Sequence, residues 1–251
     1  MLDLRQQPQT AEQPSLTVRF ARTKQEVRDA QRLRFRVFGE ELGARLECPE
    51  PGVDEDRFDA FCEHLLVCDE VSGEVVGTYR ILTPDGAKRA GGFYSETEFD
   101  LSRLEPLRDR LIEVGRSCVH PDYRHGGTIA MLWGALARYA HTQGYDYIMG
   151  CASISMADGG HVAASIYRRL RDKHLSPPEY RAFPRYGLPM ERLDRQLEAD
   201  IPPLLKGYIR LGAYICGEPA WDPDFNTADV LVLLPIARMT GRYARRLLGD
   251  A

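Results

Sequence analysis

The chain has 251 residues, 33 Lys+Arg against 37 Asp+Glu and a formal net charge of -4, enough length for one substantial core. It has none of the basic excess that polynucleotide binding brings, so nucleic acid is not an expected partner. The six cysteines, Cys48, Cys62, Cys68, Cys118, Cys151 and Cys216, form no C-x-x-C pair and read as reduced, small apolar residues of a cytoplasmic protein.

In chain order, the polar, Gln/Pro-rich opening "MLDLRQQPQTAEQPS" has no signal-peptide core and predicts a disordered tail over residues 1–15, leaving 16–251 as a single domain. No window holds the ~18 apolar residues that a membrane-spanning helix needs. "LTVRFAR" alternates as a strand, and "KQEVRDAQRLRFRVFGEEL" sets Val27, Leu33, Val37 and Leu42 at helical spacing. After an irregular acidic stretch, "HLLVCDEVSGEVVGTYRIL" reads as two strands turning at Ser72 and Gly73, and "PDGAKRAGG" reads as loop. "LIEVGRSCV", "GTIAMLWGALARYAHTQ", "YDYIMGCAS" and "HVAASIYRRLRDK" then give strand, helix, strand, helix. The last third predicts a short helix, a strand and turn through "AYICGEPAWDPDF", and a final strand "ADVLVLLPI". An α/β fold with one mixed central sheet and helices on both faces buries both "YDYIMGC" and "VLVLLPI".

Within "VHPDYRHGGTIAMLW" a strand passes to a helix through Arg124, His125, Gly126, Gly127 and Thr128. Unpaired N–H groups at a helix start attract anions, and Arg124 would add a charge-assisted contact. The spacing fits equally a β-to-α turn that binds nothing. No G-x-x-x-x-G-K-[ST] and no G-x-G-x-x-G follows a strand, which removes the common ATP and NAD loops, and no histidine spacing suggests a metal. Two H-x-x-x-x-D matches, His64 to Asp69 and His141 to Asp146, fall in a strand and at a helix end and carry no weight. At the C-terminus Arg238, Arg242, Arg245 and Arg246 interleave with Met239, Tyr243 and Leu247. That segment is either a solvated helix end or a contact for anionic lipid at the inner face of the membrane or for an acidic carrier protein.

The turn resembles the pyrophosphate-binding turn of the GNAT acyltransferases, [RQ]-x-x-G-x-[GA], through Arg124 and Gly127, with Ile129 where Gly or Ala is usual. The order of "RFRVFGEEL", "DEDRFDAFCEHLLVCD", "GTYRIL" and "EVGRSCV" is similar to that of acyl-homoserine-lactone synthases, matching Arg34, Phe38, Asp56, Asp59, Arg80, Glu113 and Arg116 to that family's positions. From about Leu16 to Leu248, through "CVHPDYR", "IPPLLKGYIRLGAYICGEPAWDPDFNTADVLVLL" and "RYARRLLG", the chain resembles the ornithine-lipid N-acyltransferases. The resemblance implies a GNAT-like fold and no permanently bound cofactor. It also implies transfer of a long, 3-hydroxylated acyl group from the phosphopantetheine of acyl carrier protein, or from acyl-CoA, to the α-amine of L-ornithine, giving lyso-ornithine lipid.

Aminolysis of a thioester needs a base for the ammonium proton, donors for the oxyanion and a proton for the departing thiolate. Glu113 is the candidate base; its alternative is a structural partner of Arg116 or Arg80. By resemblance, the N–H groups of Cys118 and Val119 polarise the carbonyl and Tyr167 protonates the thiolate, although a buried helix tyrosine is the commoner explanation for Tyr167. Asp56 and Asp59 are candidates for the acceptor's distal ammonium, and Arg34 and Arg80 for its carboxylate, with Phe38 beside them. The alternative is that "DEDRFD" is a solvated acidic loop. Rival functions are an autoinducer synthase, an N-acyl amino acid synthase using another amine, and a non-catalytic module that binds acyl thioesters.

Overall fold

The computed structural model describes residues 15–46, 48–124, 127–194 and 196–239. The tail over 1–14, His125, Gly126 and the basic segment beyond Met239 lie outside the described residues. The first helix, α1 (Lys24–Arg34), begins at a capping box in which Thr23 Oγ1 accepts from Glu26 N and the Glu26 carboxylate accepts from Thr23 N. It runs on into a π-helical segment, Phe35–Glu41, so the helix expected over 24–42 is one rod with two pitches. Widened turns of this kind concentrate at functional sites.

Ten strands are described: β1 (Leu16–Phe20), β2 (Glu63–Asp69), β3 (Val75–Leu82), β4 (Phe99–Asp100), β5 (Leu111–Val119), β6 (Tyr147–Ser155), β7 (Phe183–Pro184), β8 (Tyr214–Ile215), β9 (Ala220–Asp222) and β10 (Thr227–Pro235). The main sheet runs β1-β2-β3-β5-β6-β10-β8, with β9 also on β10, while β4 and β7 form a separate short pair. Only β5 and β6 pair in parallel; the other neighbours are antiparallel, which makes the sheet mixed as expected.

Four further helices complete the fold: α2 (Pro84–Ala90), α3 (Thr128–Gln143), α4 (His161–His174) and α5 (Pro203–Leu211). Helix α2 corrects the loop expected at "PDGAKRAGG". Thr83 Oγ1 caps it by accepting from Gly86 N, Pro84 supplies a preset φ in the first turn, and Gly91 ends it in left-handed conformation. Alternation along the strands sends Ile112, Val114 and Ile148 into a core under α3 and α5, and Ala152, Ile154 and Val230 into one under α4. The opposite face carries Leu111, Met149, Leu231 and Leu233 against α2 and the turns around Phe93 to Leu104, with α1 over Leu66 and Cys118. Each such Leu or Ile removed from water contributes about 1.5–3 kcal/mol, which sets the helices on both faces.

The sheet is not continuous across its middle. β5 and β6 pair only from Leu111 with Tyr147 to Glu113 with Met149. Beyond that, β5 stays with β3 as far as Val119, and β6 stays with β10 as far as Ser155. Gly150 stands at the vertex, where a Cβ would lie 2.2 Å from the Val114 carbonyl oxygen. A β-bulge bends β5 just past it: Arg80 opposes Gly115 and Thr78 opposes Cys118, so Arg116 and Ser117 share the place opposite Tyr79. Arg116 takes φ 51°, a left-handed conformation that costs a non-glycine residue energy and that the surrounding contacts must hold in place.

Candidate active site

The parting of β5 from β6 opens a cavity of about 530 Å³ that passes through the plane of the sheet. On the α3, α4 and α5 side its lining is apolar, with Tyr79, Val114, Leu205 and Tyr208. On the other side it is charged, with Arg80, Glu113, Arg116, Asp222 and Asp229. A second, apolar void of about 40 Å³ lies beyond the hydrogen-bonded hydroxyls of Tyr79 and Tyr208, lined by residues such as Trp133, Leu136 and Leu211. Burial pushes the Tyr79 hydroxyl up to about 12, so this pair stays neutral.

Beside the charged arm lies a closed network of three arginines and three aspartates. Arg34 Nε donates to Asp54 Oδ2 at 2.8 Å, and its Nη1 and Nη2 donate to the two Asp59 oxygens at 2.6 and 2.8 Å. Arg80 Nη1 donates to Asp56 Oδ1 at 2.6 Å and reaches Asp59 Oδ1 at 3.3 Å. Arg116 Nη2 donates to Asp56 Oδ2 at 3.3 Å and its Nε lies 3.3 Å from Asp54 Oδ2. Burial opposes the charge on Asp59, but Arg34 and Arg80 outweigh it and hold the carboxyl below its usual range. Asp56 is likewise held down, by Arg80 and Arg116 against burial. Thus the residues matched by resemblance do come together, joined by Asp54. Arg80, Arg116 and Phe38 line the cleft, whereas Arg34, Asp56 and Asp59 sit behind it, paired with one another.

Glu113 is buried at the branch point and its carboxylate is well supplied with donors. Oε1 accepts from Ser95 N at 2.7 Å and from Ser95 Oγ at 2.5 Å, and Oε2 accepts from Tyr94 N at 2.5 Å. Burial raises its pKa, and the Ser95 and Tyr94 donors only partly offset this. Arg116 reaches the cleft between two rings, its guanidinium carbon 5.1 Å from the Tyr94 centroid and 4.7 Å from that of Phe225. Phe225 in turn meets Phe38 edge-on at 5.8 Å.

A second acidic group, which sequence reasoning missed, lies deeper on the charged side. One ligand atom each from Glu98, Cys151 and Asp229 lies within 4.8 Å of the others. Asp229 and Asp222 line the cleft, and Glu98 stands behind them. The Glu98 carboxyl is met by the side chains of Tyr94 and Cys151. Burial first, then the charges of Asp229 and Asp222, push Glu98 up to about 9. Burial also raises Asp229, against donors from Thr227 and Ser153, so the pair tends to share one proton. The acidic spacing in "WDPDFNTAD" is the signal that could have found Asp222 and Asp229; Glu98, just past a 3₁₀ turn, has none.

The turn before α3 looks less like an anion cradle. Arg124 holds Glu41 with two bonds, 2.6 and 2.7 Å, and its Nε donates to Val119 O at 3.1 Å, so its charge already has a carboxylate partner. Gly127 takes φ 80° at the helix start, and buried Thr128 donates from Oγ1 to Tyr123 O at 2.9 Å. The Cys118 side chain packs with Leu33 and Val37, and burial pushes its thiol up to about 12. His120 N donates to Val76 O, so antiparallel alternation pairs Cys118 with Thr78 and turns the Val119 N–H away from β3, toward the gap. Tyr167 sits in the core between α4 and the sheet with Ile154 and Leu170, away from the cleft lining.

Comparison with known proteins gives this geometry a family. Residues 33–134 match the acetyltransferase (GNAT) domain. An L-ornithine N(alpha)-acyltransferase of Brucella abortus is 40% identical over 245 residues, covering 91% of this chain and 87% of that protein. The protein of the same name from Rhodobacter capsulatus is 40% identical over 253 residues, 94% of this chain and 97% of its own. The chain belongs to the L-ornithine N(alpha)-acyltransferase family. It is an acyltransferase of GNAT fold. The acyl-homoserine-lactone synthase LasI superposes with a TM-score of 0.56 at 14% identity, over 95% of this chain and 98% of that one. FeeM, an N-acyl amino acid synthase from uncultured soil microbes, gives 0.54 at 15% identity, over 89% and 92%. At such identities the two synthases bear on the fold of this family member alone.

Proposed function

We propose that the enzyme transfers a long 3-hydroxyacyl group from the phosphopantetheine of acyl carrier protein to the α-amine of L-ornithine, giving lyso-ornithine lipid. The observation that carries the reading is a cleft through the sheet with an apolar arm on one face and a charged arm on the other, meeting where β5 leaves β6. The acyl chain enters from the Tyr79 and Val114 side, and the amino acid from the Glu113 and Arg116 side. The names of the relatives supply the acceptor.

Glu113 takes the α-ammonium proton, directly or through a water in the cleft. The freed amine then attacks the thioester carbon, a C–N bond forms, the adduct's nitrogen gives its second proton to solvent, the C–S bond breaks, and the carrier leaves as a thiolate that solvent protonates. The Val119 N–H, turned toward the gap, stabilises the oxyanion. Arg116, with Arg80 behind it, orients the acceptor carboxylate, while Arg34, Asp54 and Asp59 hold both guanidiniums in place. Two features favour a protein-borne donor over free coenzyme A: Glu41 occupies Arg124, and Ile129 replaces the small residue of the pyrophosphate turn. No described helix is long and apolar enough to cross a membrane, and the amphiphilic product favours release at the inner membrane face.

The test is mass spectrometry of purified enzyme incubated with ornithine and either 3-hydroxyacyl carrier protein or the matching acyl-CoA. N-acylornithine formed faster from the carrier protein supports the reading. Acylation of homoserine lactone precursors or other amines, with ornithine left untouched, would contradict it.

A further inference from the structure

Asp222 on β9 and Asp229 on β10 present two carboxylates to the charged end of the cleft, and Glu98 adds a third directly behind them. Within this group Asp229 is buried and accepts from Thr227 Oγ1 at 2.8 Å. Asp222 Oδ1 accepts from the N–H groups of Asp224 and Phe225. The nearest arginine of the cleft, Arg116, is already engaged by Asp54 and Asp56 and stacked between Tyr94 and Phe225. Glu98 keeps its proton at neutral pH and is met by Tyr94 and Cys151, so the negative charge at this end of the cleft is that of Asp222 and Asp229, and something must balance it there. A ligand cation seated in the cleft would do so.

Distance along the chemistry fits as well. Cys151 bridges the two acidic regions: its Sγ lies 3.4 Å from Ser95 Oγ, which donates to Glu113, and belongs to the cluster with Glu98 and Asp229. One end of the charged arm therefore holds the candidate base, and the other holds the Asp222 and Asp229 carboxylates, with Arg116 turned to Asp54 and Asp56. An acceptor with an amine at each end of a short methylene chain spans these two stations.

We infer that Asp222 and Asp229, backed by Glu98, form the subsite for the distal ammonium of the diamino acid acceptor and select for it. This rests on the proposed acyl transfer and adds to it the residues that decide which amine is presented to Glu113. With the δ-ammonium held at Asp229, only the α-amine reaches the thioester. An acceptor lacking the distal amine leaves the carboxylates unpaired and is rejected, as sites built around a charged partner reject analogues that lack it.

Steady-state kinetics of the full-length enzyme with ornithine and with norvaline, the same carbon skeleton without the distal amine, test this. Wild type should prefer ornithine by about 100-fold or more in kcat/KM. In Asp229→Asn and Asp222→Asn that preference should shrink at least tenfold, chiefly through the KM for ornithine, and Glu98→Gln should shrink it less. An unchanged preference in all three variants, or a wild type indifferent between the two amines, would overturn the inference while leaving acyl transfer intact. Failure of the wild type to acylate ornithine at all would instead sink the proposed function. Activity lost on chelation and restored by a divalent metal would make the cluster a metal site and likewise overturn the assignment.

Discussion

Glu113 combines two demands that usually conflict. Its donors from Tyr94 and Ser95 anchor the turn over the cleft, while burial raises its pKa toward the range where a base works. Glu113→Gln should lower kcat by about 10²- to 10⁴-fold, the usual worth of general base catalysis, read in a single-turnover assay with carrier binding measured in parallel. A loss confined to melting temperature, with turnover intact, would leave Glu113 an anchor only. Arg34 serves a different end, since it is sealed against Asp54 and Asp59. Arg34→Met strands two buried carboxylates and should cost about 3–5 kcal/mol in urea unfolding. Glu98, faced by Tyr94, Cys151, Asp222 and Asp229, carries a linkage of opposite sign to Asp59. Its folded pKa is raised, so the folded protein keeps a proton that the unfolded chain releases above about pH 4.3. Its stabilising share is full below that pH and is lost as pH rises toward about 9, the value set by burial and its acidic neighbours. Melting temperature followed from pH 6 to 9.5 should fall more steeply in wild type than in Glu98→Gln; parallel curves would remove the linkage.

At the scale of elements, the working part is the short parallel contact between β5 and β6 and the bulge beyond it. Gly150→Ala would drive a methyl into the Val114 carbonyl and move the vertex. The expected loss is about 1–3 kcal/mol, or roughly 2–12 °C in melting temperature for a chain of this size, together with reduced turnover. Unaltered melting and kinetics would show that the vertex tolerates movement. Much of this level was legible beforehand: alternation gave the strands "LTVRFAR" and "ADVLVLLPI", and helical spacing gave α3 and α4. Helix α2 was missed because Gly86, Gly91 and Gly92 suggested loop, although Thr83 and Pro84 carried a capping signal. The splay was not legible, because where pairing stops depends on partners distant in the chain. Glu98 was invisible for the same reason: it becomes a site residue only when β6 and β10 bring Cys151 and Asp229 against it. The matched Arg34, Asp59 and Arg80 were legible as a group, but sequence had no means of telling lining from support.

For the whole molecule, the sheet acts as a partition with one doorway. α3, α4 and α5 cover the apolar side, while α1, α2 and the turns around Tyr94 cover the charged side. On the proposed reading, substrates of opposite character approach from opposite faces and meet where the backbone opens. An apolar void lies beyond the hydroxyl pair of Tyr79 and Tyr208, on the apolar side of the cleft. Tyr208→Phe removes the bond between the pair and should broaden the acyl chain lengths accepted, measured by competition among carrier-bound donors; an unchanged profile would show that the pair does not limit chain length. The most direct measurement of the central claim is a crystal structure with ornithine and a non-hydrolysable acyl-phosphopantetheine. The account predicts the acyl chain along Tyr79, Val114 and Leu205, and ornithine along Glu113 and Asp229, with the α-nitrogen facing the carbonyl across the gap. Both ligands on one face of the sheet, or an acyl chain seated outside the β5–β6 opening, would contradict it.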